Sequence, residues 1–375
     1  VATTPILPMK DERDFLTEEI GHCASPLARS KFGQGNVCLG DYRTGHIMAE
    51  QNALSPHAWK CEPMKKNGPS DNNSSGRISV AICAYNAAKF INDSLASIIN
   101  QTFGDIEIIV IDDGSTDGTD FVLSGFTDPR LNVVRNPSNL GVATSRNISI
   151  ALARGEFIAL LDADDIAHPD RLATQHAFMA AHPEVTICGS DMRLFGAVSG
   201  MTDVPADDSV IKANFLSGDH NIMNPTSFMR RDFIANNNIR YNPNLQPADD
   251  LEFWIQCMRY GANFANLKLE TVFYRVHDHN ISKTIEKKWQ MRHNRQNLFF
   301  DLFPSMTASG IRALAALFYN NIEISQLDKM KEAHNKAIID MASVFGEDRK
   351  IVSELIKKRF ERVENLILQV RRESP

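Results

Sequence analysis

Residues 156–165 read EFIALLDADD, an apolar run that ends abruptly in Asp162, Asp164 and Asp165. The apolar part has the length and continuity of a buried strand. Carboxylates crowded at the end of such a strand repel one another and resist losing water. Something positive has to sit beside them, and the flanking sequence shows what kind of fold would hold it there.

Strand and helix alternate on both sides of this stretch. RISVAICAYN (77–86) is a β-rich strand running into a turn, and AKFINDSLASIINQ (88–101) spaces Phe90, Ile91, Leu95, Ile98 and Ile99 as a helix does. IEIIVIDDGSTDGT (106–119) begins as a continuously apolar strand, the pattern of burial on both faces, and LNVVRNPSNLG (131–141) supplies a short third strand. ATSRNISIALARG (143–155) reads as a helix stopped by Gly155. HPDRLATQHAFMAAH (168–182) reads as a helix opened by Pro169, and EVTICGS (184–190) as a fifth strand. Such alternation predicts an α/β architecture with a mostly parallel central sheet flanked by helices.

In an open parallel sheet, ligands bind beyond the carboxyl ends of the strands. Three clusters fall at such ends: Ala84-Tyr85-Asn86, Asp112-Asp113-Gly114 and Asp162-Ala163-Asp164. Tyr85 offers a flat face for a base, though ordinary packing would explain it as well. Asp113 is a pure acceptor suited to the ring N–H of a pyrimidine, and Arg146, at the start of a helix, suits a phosphate. Asp162 and Asp164 are hard oxygen ligands suited to Mg²⁺ or Mn²⁺, with substrate phosphates completing the shell.

These segments, in this order and spacing, together with HPDRL (168–172), resemble the nucleotide-sugar-binding half of glycosyltransferase family 2, inverting enzymes of the GT-A fold. The resemblance covers roughly residues 77–282. It implies a metal-dependent transfer of a sugar from a nucleoside diphosphate sugar, UDP- or dTDP-linked, to a hydroxyl of a glycan or glycolipid, in surface polysaccharide assembly. It also implies site residues further along. In PADDLEFWIQ (247–256), Asp250 falls at the catalytic base, with Asp249 where Glu is more usual. In FYRVHDHNIS (273–282), His277 falls where a histidine completes the metal site. In NPTSFMRR (224–231), Asn224 replaces the family's frequent histidine. Read without the resemblance, Asp249 and Asp250 are acids at a helix start, and His277 is an ordinary satisfied histidine.

Composition sets the outer bounds. The 375 residues carry a formal charge of −6, which disfavours nucleic acid as a partner. A nucleotidyltransferase would carry a Gly-rich, basic loop early in the domain, and a dehydrogenase a G-x-G-x-x-G; neither follows the first strand. A scaffold with a dead site would have no need of Asp164, Asp250 and His277 together. The six cysteines lack metal-knuckle spacing, and a reducing compartment is the simplest reading. With no apolar run of membrane-spanning length, cytoplasmic residence is expected. Contact with the inner membrane face would come from Lys283, Lys287, Lys288, Arg292, Arg295 and Trp289.

Three parts are expected: an irregular segment and linker over 1–76, closing in KKNGPSDNNSSG; a transferase domain over 77–284; and a helical region over 285–375. Within the domain, 77–190 would bind the nucleotide sugar and 191–284 the acceptor. In the last region Val352, Ile356, Phe360, Val363, Ile367 and Val370 form an apolar stripe. Packing on the same domain, self-association into a homo-oligomer and membrane contact are the alternatives for it.

Overall fold

The computed structural model of the chain describes residues 76–217, 221–245 and 247–278, and within 298–373 chiefly two helices, Ala308–Tyr319 and Arg349–Glu373. Expectations for residues 1–75 and for the basic cluster at 283–295 fall outside the described residues.

The sheet begins with the strands the apolar runs announce: β1 (Ile78–Ala84), β2 (Ile106–Asp112), β3 (Leu131–Arg135) and β4 (Phe157–Asp162). Ile and Val dominate β1 and β2 because both faces are covered, and every residue of β2 is buried. Helix α1 (Ile91–Ile99) lays Ile91, Leu95 and Ile98 into the core. Helices α2 (Thr119–Ser124), α3 (Val142–Leu152) and α4 (Arg171–Ala181) complete the crossovers. Cys188, fully buried, is a packing residue whose burial pushes its thiol up to about 12.

The second half adds β5 (Ile166–Ala167), β6 (Ile187–Gly196), β7 (Gly200–Met201), β8 (Phe228–Arg230) and β9 (Phe264–Val276). Between them lie α5 (Asp208–Ser217), α6 (Arg231–Asn236) and α7 (Asp249–Arg259). Among the described residues the sheet order is β3-β2-β1-β4-β8-β6-β9-β5, with β7 on the edge of β6. β1 to β4, β6 and β9 point one way; β5, β7 and β8 oppose them. The mostly parallel expectation therefore holds, but the fifth predicted strand, β6, does not pair with β4. Three residues of β8, too short to carry a pattern, separate them.

Two local readings change. Helix α3 ends at Leu152, before Gly155, with Ala153 already extended. Gly155 serves close approach instead: a Cβ there would lie 2.6 Å from the Arg77 carbonyl oxygen and 2.8 Å from the Ser79 nitrogen. Phe90 precedes α1 rather than joining its buried face.

The C-terminal stripe packs internally where it is described. Val352, Ile356 and Phe360 are buried on α9 (Arg349–Glu373), which lies against α5 and α8 (Ala308–Tyr319). Lys212 of α5 fastens the junction, pairing with Asp208 at 2.6 Å and Asp348 at 3.1 Å. Those three apolar residues are thus not available as a homo-oligomer seam. The side chains of Val363, Ile367 and Val370 fall outside the described residues.

A buried carboxylate ties β1, β2 and the α3–β4 turn together. Glu107 Oε1 accepts from Ser79 Oγ at 2.6 Å and from the Arg154 backbone N–H at 2.7 Å, while Oε2 pairs with the Arg154 guanidinium at 2.9 Å. Burial alone would raise this carboxyl, but the donations from Ser79 and Arg154 outweigh it and hold it below the usual glutamate range. The sign follows: the stabilisation is complete above the ordinary glutamate range and is lost as pH falls through the lowered folded value. Glu107→Gln is expected to cost about 1–3 kcal/mol in urea unfolding at neutral pH. It should also flatten the acid limb of the stability profile.

Candidate active site

The parallel register brings the three acidic or aromatic strand ends to one rim. Ala84 lies opposite Asp112, and Cys83 opposite Asp162. β1 leads through α1 to β2 on one side and has β4 on the other, so the rim sits where the winding of the sheet reverses. Ligands of open α/β sheets bind at such a point.

The β1 end is rigidly laced to the β2 end. Asn86 adopts φ +50°, in the left-handed region, and donates its backbone N–H to Ser115 Oγ at 2.9 Å; its Oδ1 accepts the Thr116 N–H at 2.9 Å. Asn is among the residues that tolerate this conformation. Tyr85 is left 49% exposed on the rim, a free flat face, whereas Ala84 is buried. Gly114, at φ +71°, passes so close to the Ser138 backbone that a Cβ would come within 2.5 Å of its carbonyl carbon.

Asp113 is largely occupied. One oxygen accepts from Asn136 Nδ2 at 2.7 Å and the Leu140 N–H at 2.9 Å; the other accepts the Gly141 N–H at 2.9 Å. The residue is 3% exposed. An ionised carboxylate has about four acceptor positions, so one remains for a donor such as a ring N–H. It also anchors the turn that launches α3.

Arg146, in the second turn of α3, is the positive group demanded by the acids. Nη1 donates to Asp249 Oδ2 at 3.0 Å, and Nη2 lies 3.5 Å from Asp162 Oδ1. Its guanidinium is 5.3 Å from the centre of the Tyr241 ring. Burial would lower the arginine, but the charges of Asp162 and Asp249 overcome it and raise it further. The carboxylates are less well served. Burial pushes Asp162 up, Arg146 opposes, and Asp164 and Asp250 add to the rise. Asp249 follows the same pattern, with burial first, Arg146 against it and Asp250 with it.

Asp249 and Asp250 begin α7, where the helix dipole favours acids. Asp249 is buried and faces Arg146, whereas Asp250 is half-buried, with Oδ1 accepting the Leu251 N–H at 2.7 Å. Trp254, one turn on, is buried. Asn224 is buried too; its Oδ1 accepts from Tyr241 Oη at 3.1 Å, and Tyr241 stacks on Phe253 at 4.1 Å.

Of the three residues read as metal ligands, two meet. His277 Nε2 and Asp164 Oδ2 are 2.9 Å apart, while Asp162 is engaged with Arg146. Among the described residues, no three His, Cys, Asp or Glu side chains converge as a metal cluster. Ala163 is buried between the two aspartates. By donor chemistry, Asp162, Asp164 and His277 still suit a hard divalent ion.

Arg275 and Phe90 are site residues to which sequence reading gave no role. Arg275 Nε donates to the Asp164 carbonyl at 2.8 Å, and Phe90 stacks on His277 with centroids 4.8 Å apart. The signal for Arg275 was its place two residues before His277. Phe90 read only as part of a helix face.

Residues 79–236 match the model of glycosyl transferase family 2. The chain carries a family 2 glycosyltransferase domain. It is 29% identical to an uncharacterized glycosyltransferase of Haemophilus influenzae, across 70% of this chain and 85% of that one. It is 28% identical to the Escherichia coli UDP-Glc:alpha-D-GlcNAc-diphosphoundecaprenol beta-1,3-glucosyltransferase WfaP, across 55% of this chain and 79% of that one. In fold the glycosyltransferase is similar to S. aureus TarS 1–349, solved in complex with UDP-GlcNAc. That match has 18% identity, a TM-score of 0.55 and coverage of 79% of this chain and 92% of that one. Among its described residues, no helix is long and apolar enough to cross a membrane.

The Arg146 bridge yields a direct test. Arg146→Met leaves Asp162 and Asp249 facing each other's charge without compensation, and is expected to cost about 3–5 kcal/mol in chemical denaturation. Adding Asp249→Asn should recover a measurable part of that loss, read as a coupling energy in a double-mutant cycle.

Proposed function

We propose that this glycosyltransferase moves a sugar from a nucleoside diphosphate sugar, with UDP as the leading nucleotide, onto a hydroxyl of a lipid-linked or polysaccharide acceptor. The observation that carries it is the meeting of two acidic sets on one rim. Asp162 ends β4 with Asp164 two residues on, Asp249 and Asp250 begin α7, and Arg146 joins Asp162 to Asp249. The activity in the name of the E. coli relative, a UDP-Glc donor and a diphosphoundecaprenol-linked acceptor, supports the choice of substrates. So does a relative in Bacillus subtilis named as a putative teichuronic acid biosynthesis glycosyltransferase, 27% identical over 234 residues. Residues 77–190 are assigned to the donor and 191–284 to the acceptor and the base.

Each residue then has a task. Tyr85 stacks the base, and Asn86 and Gly114 shape the turns that receive the nucleoside. Asp162, Asp164 and His277 would hold Mg²⁺ or Mn²⁺, a Lewis acid for the charge that develops on a departing diphosphate. Arg146 bridges Asp162 and Asp249 and is assigned to the donor phosphate. Asp250, the more exposed member of its pair, accepts the proton of the attacking hydroxyl. Attack opposite the leaving group inverts the anomeric carbon. Rim and helix start together hold donor and acceptor in line, which is worth at least as much as the base.

Asp250→Asn should bind UDP as the wild type does yet lose about 10²- to 10⁴-fold in turnover. Calorimetry with UDP, alongside a transfer assay, checks both halves; near-normal turnover removes Asp250 from the role. Wild-type activity that survives exhaustive chelation removes the metal.

A further inference from the structure

Arg275 is held from several directions at once. Its backbone N–H donates to Asp165 Oδ1 at 2.8 Å, and Asp165 is fully buried. Its Nε donates to the Asp164 carbonyl at 2.8 Å, and its Nη2 pairs with Asp93 of α1 at 3.0 Å. The rings of Phe90 and Phe195 lie 4.9 Å and 4.6 Å from the guanidinium carbon. Phe90 also stacks on His277, and His277 in turn meets the Asp164 carboxylate. The contacts close a ring: Arg275 to Asp164, Asp164 to His277, His277 to Phe90, Phe90 back to Arg275.

This ring is more than the sheet requires. β5 and β9 already join the two segments through Ile166 opposite Phe273 and Ala167 opposite Val272. What the ring adds is restraint on Asp164, held at its carbonyl by Arg275 and at its carboxylate by His277. The restraint needs a guanidinium. Its plane can lie against aromatic rings while its edge donates in fixed directions; an ammonium on a flexible stem can do neither in the same way.

We propose that Arg275, backed by Asp165 and Phe90, is a positioning residue that fixes Asp164 and His277 as one preorganised pair and thereby sets divalent-cation affinity at the donor diphosphate. The proposal rests on the reading of Asp164 and His277 as metal ligands. Groups that orient metal ligands typically account for about 10- to 100-fold in metal affinity.

The test uses the full chain with UDP present and Mn²⁺ titrated in, free Mn²⁺ being followed by electron paramagnetic resonance. Arg275→Lys and Arg275→Met are expected to weaken Mn²⁺ binding by about 10- to 100-fold, the lysine giving no rescue. Glu107→Gln, destabilised in the same domain but remote from the rim, should stay within a factor of about two and so separate positioning from general loosening. The second readout needs no metal: the His277 ring proton shifts, set by stacking on Phe90, should move toward those of a free histidine in both Arg275 variants. An Arg275→Lys protein with wild-type Mn²⁺ affinity, or with unchanged His277 shifts, overturns the proposal. If the wild type itself fails to bind Mn²⁺, the metal reading falls and takes with it the role assigned to the ring. If the wild type binds but His277→Ala binds equally, the fault lies with His277 as a ligand, and the proposal falls on that ground.

Discussion

Arg146 spans from Asp249 at 3.0 Å to Asp162 at 3.5 Å, and this one guanidinium allows a strand and a helix to end in acids at the same place. Without it, the end of β4 and the start of α7 would repel each other across a partly dry gap. With it, Asp162 and Asp249 are compensated, while Asp164 meets His277 and Asp250 stays half-buried at the start of α7. Arg146 itself is aimed by Asp113, whose carboxylate collects the backbone N–H groups of Leu140 and Gly141 just before α3 begins. A chain of short polar contacts therefore runs from the end of β2 through the start of α3 to the start of α7.

That chain gives two residues a structural task beside the one read from sequence. On sequence grounds Asp113 and Arg146 are ligand-binding groups, an acceptor for a base and a donor for a phosphate. In the folded chain they also have protein partners: three donations to Asp113, and carboxylates at both ends of the Arg146 fork. A charged side chain at a strand end can bind a ligand or preorganise the groups that do, and the two tasks look alike in a motif. Only the inventory of hydrogen bonds separates them.

The first half of the fold was legible because its residues are locally consistent. Ile78–Ala84 and Ile106–Asp112 are apolar runs too short for helices, and the helices between them carry their own spacing. The second half was not. β8 has three residues and β5 and β7 two each, below the length at which any period can appear. Their placement depends on partners far away in the chain. The site divides in the same way. Asp162, Asp164, Asp249 and Asp250 stand out in sequence because acids at strand and helix ends are conspicuous. Phe90 and Arg275 do not, because their places show only in folded contacts, those of Phe90 with His277 and of Arg275 with Phe90 and Asp164.

The long return of β9 explains how distant residues come to share one rim. β9 runs beside β6 through a bulge near Asp191, then reaches β5 directly after the acidic turn. A bulge bends and twists a strand, which carries its far end toward the parallel half of the sheet. Tyr274, Arg275, Val276 and His277 are thus delivered next to Asp164 and Asp165, more than a hundred residues earlier in sequence. The strand-end acids and the closing segment thus arrive together on one rim. Here the pairing of two residues in β5 with the end of β9 sets that meeting, and Arg275 fixes its geometry.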